Sequence, residues 1–145
     1  MILPQIPREI ALAVWERLLF EPYLWGGDDP LAGFDCSGLV IEGLKSAGRL
    51  PREGDWSAEA LASRFPAVPA EGLHAGCLLF WNRGTPPHIG HVEIVWAVLG
   101  DQVFTIGASG GDSRTTSLPA AIAGNSYVKI RPAVAGWVRA VDPFA

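Results

Sequence analysis

Cysteine is scarce in this chain, positive charge is in deficit, and nowhere does the sequence stay apolar for long. Two cysteines, Cys36 and Cys77, allow one disulfide at most. A chain made in a reducing compartment keeps them as thiols. Lys and Arg total 11 against 15 Asp and Glu, for a net charge of -4 and a pI near 5.3. The basic surface that phosphate backbones require is therefore missing, and no nucleic-acid partner is expected. No apolar run approaches the roughly 18 to 20 residues of a membrane span. The opening "MILPQIPREI" lacks the basic and apolar regions of a secretion signal, so the chain reads as soluble and made in the cytoplasm.

What is present is a core-forming composition. Hydrophobic residues make up 49% and charged residues 18% of the 145, with a mean hydropathy of +0.23, as in a folded globule with one domain over residues 1–145. Apolar spacing predicts a helix from Arg8 to Phe20 between Pro7 and Pro22, and an irregular loop from Gly26 to Gly33. A second helix is predicted from Cys36 to Ala47, burying Leu39, Val40 and Leu44 and capped by Gly48. A third runs from Ser57 to Phe65, ended by Pro66. Beyond Gly76 the pattern changes to short runs rich in β-branched and aromatic residues: "CLLFWN", "HVEIVWAVL", "QVFTIGAS", "YVKIRP" and "GWVRAV". These read as strands. Gly100 and Asp101 form a tight hairpin, and Ser117 with Pro119 opens a small helix ending near Gly124. Helices first and strands second define an α+β domain, with N-terminal helices packed on a central antiparallel sheet.

Cys36 stands where a Gly- and Asp-rich loop gives way to a helix. In a first helical turn, unpaired N–H groups and the positive end of the helix dipole stabilise a thiolate. A histidine able to take the thiol proton completes the minimum for covalent acyl transfer. The chain has three: His74 in a turn, His88 after Pro86 and Pro87, and His91 at the start of "HVEIV". A histidine on a sheet strand is held more rigidly than one in a proline loop, which favours His91. His88 and His91 are three apart, a spacing that alternates faces in a strand, so no metal site is expected.

In order and spacing, "YLWGG", "GFDCSGLV" and "GHVEIV" resemble the NlpC family of papain-like cysteine peptidases, which cut stem peptides of bacterial cell walls. The tail from "IGASGGDSRT" to "NSYVKIRP" looks like the phage-associated branch of that family. The resemblance implies a papain-like fold with Cys36 as nucleophile and His91 as base, needing no cofactor. It also implies that Tyr23 and Asp35 form the pocket for the acyl side of the substrate, that Ser37 flanks the thiol, and that the Tyr23 hydroxyl and the Cys36 N–H are oxyanion donors; Trp25, beside the site, is placed to line a substrate groove. The implied substrate is the peptidoglycan stem peptide, cut after D-glutamate through a thioester. Implied partners are phage tail or other wall-targeting proteins, and the implied place of action is the cell wall.

Two positions depart from the family pattern. Where relatives carry a polar third residue, often histidine, this chain has Gly107; Glu93, Thr105 or a water is left to orient the imidazole. Glu93 lies two residues beyond His91 and so on the same strand face. Cys77 stands where relatives have the aspartate of a strand start, and reads as a buried strand residue. Of six tryptophans, Trp15 and Trp96 fall at core-like positions, whereas Trp25 and Trp81 lie beside the site. Two other functions share the architecture: an inert tail or wall-binding module, and a thiol acyltransferase or amidase working through the same thioester.

Overall fold

The computed structural model describes residues 6–29 and 33–145. Residues 30–32 of the expected Gly26–Gly33 loop lie outside the described residues. Helix α1 (Ile6–Arg17) packs against α2 (Cys36–Ser46). Its buried face is Ala11 and Trp15, while Ile10 points outward at 41% exposure. Trp15 fits because Gly43 of α2 has no side chain in its path, and its indole N–H donates to the Leu39 carbonyl at 3.0 Å. The helix stops earlier than spacing suggested: Phe20 takes a positive φ of 72° and its N–H donates to the Val128 carbonyl, 2.8 Å away. From there the chain runs along the sheet edge.

Two residue pairs, β1 (Asp28–Asp29) and β2 (Gly33–Phe34), form a minimal hairpin within the expected irregular loop. Helix α2 begins directly after it. Asp35 is its N-cap, accepting from the Gly38 N–H, and Gly48 takes the left-handed φ of 73° that its place after the helix predicts. Helix α3 (Ala58–Arg64) is capped by Ser57.

Five strands follow: β3 (Leu78–Arg83), β4 (His88–Leu99), β5 (Gln102–Ser109), β6 (Tyr127–Pro132) and β7 (Arg139–Val141), in the antiparallel order β6-β5-β4-β3-β7. The short α4 (Leu118–Ala123), capped by Ser117, lies between β5 and β6. This is the α+β, papain-like arrangement expected. Strand β4 reaches back to His88, which the sequence placed in a proline loop. The last strand is shorter than "GWVRAV", because Gly136 turns at φ 93° and Trp137 folds onto a small apolar cluster with Cys77, Leu79 and Trp81.

The sheet has two distinct faces. Val92, Ile94, Ile106, Ala108 and Val128 join Leu39, Val40 and Leu44 of α2 in the main core. Residues of opposite parity, His91, Glu93 and Thr105, are buried polar groups. Burying polar side chains costs free energy unless each is hydrogen-bonded, and these three are bonded to one another through Glu93. Trp96 corrects the core-like reading given to it: it is 36% exposed, with its N–H on Glu16 Oε1 at 3.0 Å. A register shift between Val95 and Ala97 disturbs the alternation there.

Candidate active site

Cys36 is the first residue of α2 and a free, half-buried thiol. The turn before it is fastened by Asp35. Its Oδ1 accepts from Gly38 N–H at 2.7 Å and from Ser37 Oγ at 3.3 Å, while Oδ2 accepts from Gly26 N–H at 3.1 Å. Burial pushes the Asp35 carboxyl up, against the pull of the two backbone N–H groups. Asp35 and Ser37 are thus engaged in holding the helix start. The glycine two residues after the cysteine has a reason of its own: a side chain at Gly38 would strike the Gly27 carbonyl. Loop and helix therefore approach closely only with glycine there.

His91 lies on β4 opposite Trp81 of β3, and the two rings meet at 5.5 Å between centroids, tilted by 51°. The imidazole is 6% exposed and lies beside the Cys36 side chain. Its Nε2 lies 2.7 Å from Glu93 Oε2, so Nδ1 is the ring nitrogen that the carboxylate leaves unengaged. Burial by itself lowers the basicity of His91; the bonds to Cys36 and Glu93 outweigh it and raise the imidazole above its ordinary value.

Glu93 is 1% exposed and saturated with donors. Oε1 accepts from Thr105 Oγ1 at 2.6 Å, and Oε2 accepts from Arg131 Nη2 at 2.6 Å as well as from His91. Burial raises a carboxyl, but the bonds from His91, Arg131 and Thr105 prevail and hold it below the usual range. Both candidates for the third position, Glu93 and Thr105, therefore meet at one point. Arg131 was missed. Its strand was legible, but the Thr105–Arg131 register that brings it under Glu93 is set by pairing across the sheet, which no local pattern reveals.

Tyr23 is 4% exposed, its ring passing over Gly111, which has no Cβ to obstruct it. Burial, then the nearby Cys36 and Asp35, push the phenol well above its ordinary range, so it stays a hydroxyl. Trp25 is 56% exposed and lines a cleft of about 280 Å³ with Cys36, Ser37 and His88. A second cleft, of about 320 Å³, opens beside His91, Glu93 and Arg131. The larger apolar groove at Phe20, Leu118 and Ile122 touches none of these groups. Cys77 is fully buried; burial pushes its thiol up, and its sulfur lies 3.7 Å from the His74 ring.

A helix-borne thiol facing a sheet-borne, carboxylate-oriented imidazole within an α+β, papain-like fold defines a cysteine-nucleophile scaffold. The NlpC/P60 family model matches residues 20–130, and the chain belongs to that family. The chain is 40% identical over 89 residues to the murein DD-endopeptidase MepH of Escherichia coli K12, covering 57% of this chain and 31% of that protein. It is 34% identical over 99 residues to the probable endopeptidase YafL of the same organism, covering 66% and 37%. The chain thus spans about a third of the length of these curated relatives. In fold it is similar to the P60 domain of antigen MAP1204 from M. avium subspecies paratuberculosis, with a TM-score of 0.71, 23% identity and 99% of each chain covered. Among the described residues no helix is long and apolar enough to cross a membrane.

Proposed function

We propose that this chain is a cysteine endopeptidase that hydrolyses peptide bonds of peptidoglycan stem peptides, at the bond following D-glutamate. The observation that carries the reading is the Cys36 thiol at the start of α2 beside a His91 imidazole that Glu93 holds at 2.7 Å. Family membership and the endopeptidase names of its relatives supply the substrate class.

Each group has a step. The Cys36 thiolate attacks the scissile carbonyl carbon, forming a C–S bond and a tetrahedral oxyanion. The Cys36 backbone N–H in the first turn of α2 and the Tyr23 hydroxyl donate to that oxyanion, where they count most because the charge exists only in the transition state. As the C–N bond breaks, the His91 imidazolium gives its proton to the leaving amine. A water then attacks the thioester, losing its proton to His91, and the C–S bond breaks to release the acid and restore the Cys36 thiolate beside the His91 imidazolium.

Glu93 fixes the imidazole so that Nδ1 faces sulfur, and its charge favours the imidazolium. A bare carboxylate there would hold the proton too firmly for delivery to the amine. Arg131 and Thr105 offset this by sharing the Glu93 charge. Incubation with purified stem peptides, read by product masses, tests the proposal: hydrolysis gives two fragments that together equal substrate plus one water. Acyl transfer gives an adduct, and an inert module gives neither.

A further inference from the structure

The two clefts divide the catalytic pair between them. One is lined by Cys36 and not His91, the other by His91 and not Cys36. In the proposed reaction sulfur holds the acyl half of the substrate, and the imidazole protonates the amine half. The cleft beside His91 therefore belongs to the leaving residue.

Its lining is cationic. Arg83 and Arg131 border it together with the His91 ring, and among the described residues Glu93 is the only carboxylate on its wall. That carboxylate is already bonded to His91, Thr105 and Arg131. With His91 protonated in the ion pair, three positive groups face one negative group. Arg131 is held in place by Glu93, yet its Nε is buried without a hydrogen-bond partner among the described residues. A buried donor left unpaired is costly and marks a place for an acceptor. Arg83 is exposed at the end of β3, packed over Gly90. It is free to close over a ligand, and a guanidinium matches a carboxylate bidentately.

We infer that this cleft is a subsite for a free carboxylate on the residue whose amine leaves, held between Arg83 and Arg131. The inference rests on the endopeptidase reading for its orientation. It predicts that the enzyme distinguishes stem peptides whose leaving residue carries a carboxylate from those in which that group is amidated. A site built to bond a polar group discriminates sharply when the group is changed.

The probes are L-Ala-γ-D-Glu-L-Lys as the free C-terminal acid and as its carboxamide. Binding is measured to the Cys36→Ala protein, so no turnover is needed. The acid is expected to bind at least about 10-fold more tightly than the amide. Arg83→Gln should reduce the ratio to within about twofold, while Arg52→Gln, which removes the same charge outside both clefts, leaves it intact. Melting curves establish that each variant is folded. Equal binding, tighter binding of the amide, or no binding of either at millimolar concentration overturns the subsite. Cleavage of the same peptides by the unmodified protein reports separately. Preference for the acid without cleavage keeps the subsite and removes the hydrolase; cleavage with no preference in binding does the reverse.

Discussion

Glu93 fills the space that a side chain at Gly107 would need: a Cβ on Gly107 would lie 2.5 Å from Glu93 Cγ. One strand carries a glycine so that its neighbour's carboxylate can reach the His91 imidazole. The polar group expected on β5 is thus replaced by one on β4, two residues from His91 itself. Thr105 and Arg131, from β5 and β6, then bond the carboxylate from the other side.

Gly107→Ala is expected to destabilise the fold by about 1–3 kcal/mol, since neither the strand nor the buried carboxylate has room to yield. Glu93→Ala removes the obstacle, so the double variant should lose less stability than the two single losses added together. Denaturant melts of the four proteins check this. Strict additivity contradicts the contact.

Glu93→Gln keeps the shape but removes the charge that, together with Cys36, raises His91. The alkaline limb of kcat/KM should move to lower pH, and kcat should fall by about 10- to 1,000-fold. A pH profile unchanged from the parent protein eliminates the orienting role of Glu93.

Stability should follow pH through the same pair. Glu93 is depressed from its usual 4.5, so its contribution is present above that value and lost as pH falls through the lower, folded value. His91 is raised from its usual 6.5, so its contribution is complete below 6.5 and lost as pH rises through the higher, folded value. The stability difference between parent and Glu93→Gln should therefore be widest between about pH 4.5 and 6.5. Urea midpoints measured across pH check it; a gap that widens above pH 8 has the wrong sign.

Tyr23→Phe retains the ring over Gly111 and deletes the hydroxyl. If that hydroxyl donates to the oxyanion, kcat falls by about 10-fold or more while KM stays within about twofold. A change confined to KM assigns Tyr23 to substrate binding alone.

The elements of this fold were mostly legible because apolar spacing and turn residues are local signals. Ser57, Ser117, Gly48 and Gly100 mark ends of structure as their chemistry requires. Cys36 was legible for the same reason, at a loop-to-helix boundary. Residues whose roles depend on pairing were less so. Ala11 and Trp15 face the core while the bulkier Ile10 does not, because Gly43 on the partner helix is where α1 can approach. Trp96 lies on the surface beside a register shift, and Arg131 reaches Glu93 through a pairing made across 38 residues of chain.

Thiol labelling of the native protein should modify Cys36 and spare Cys77, which is fully buried beside His74. Peptide mapping after brief alkylation reads it. Faster reaction at Cys77 would assign the nucleophile wrongly.

The most direct measurement compares the parent protein with Cys36→Ser on purified peptidoglycan stem peptides, with products weighed by mass spectrometry and the intact protein weighed after an early quench. The account predicts cleavage of one peptide bond by the parent, an acyl adduct on Cys36 at early times, and neither from the variant. Cleavage by the variant at the parent's rate, or none by the parent on any stem peptide, would contradict it.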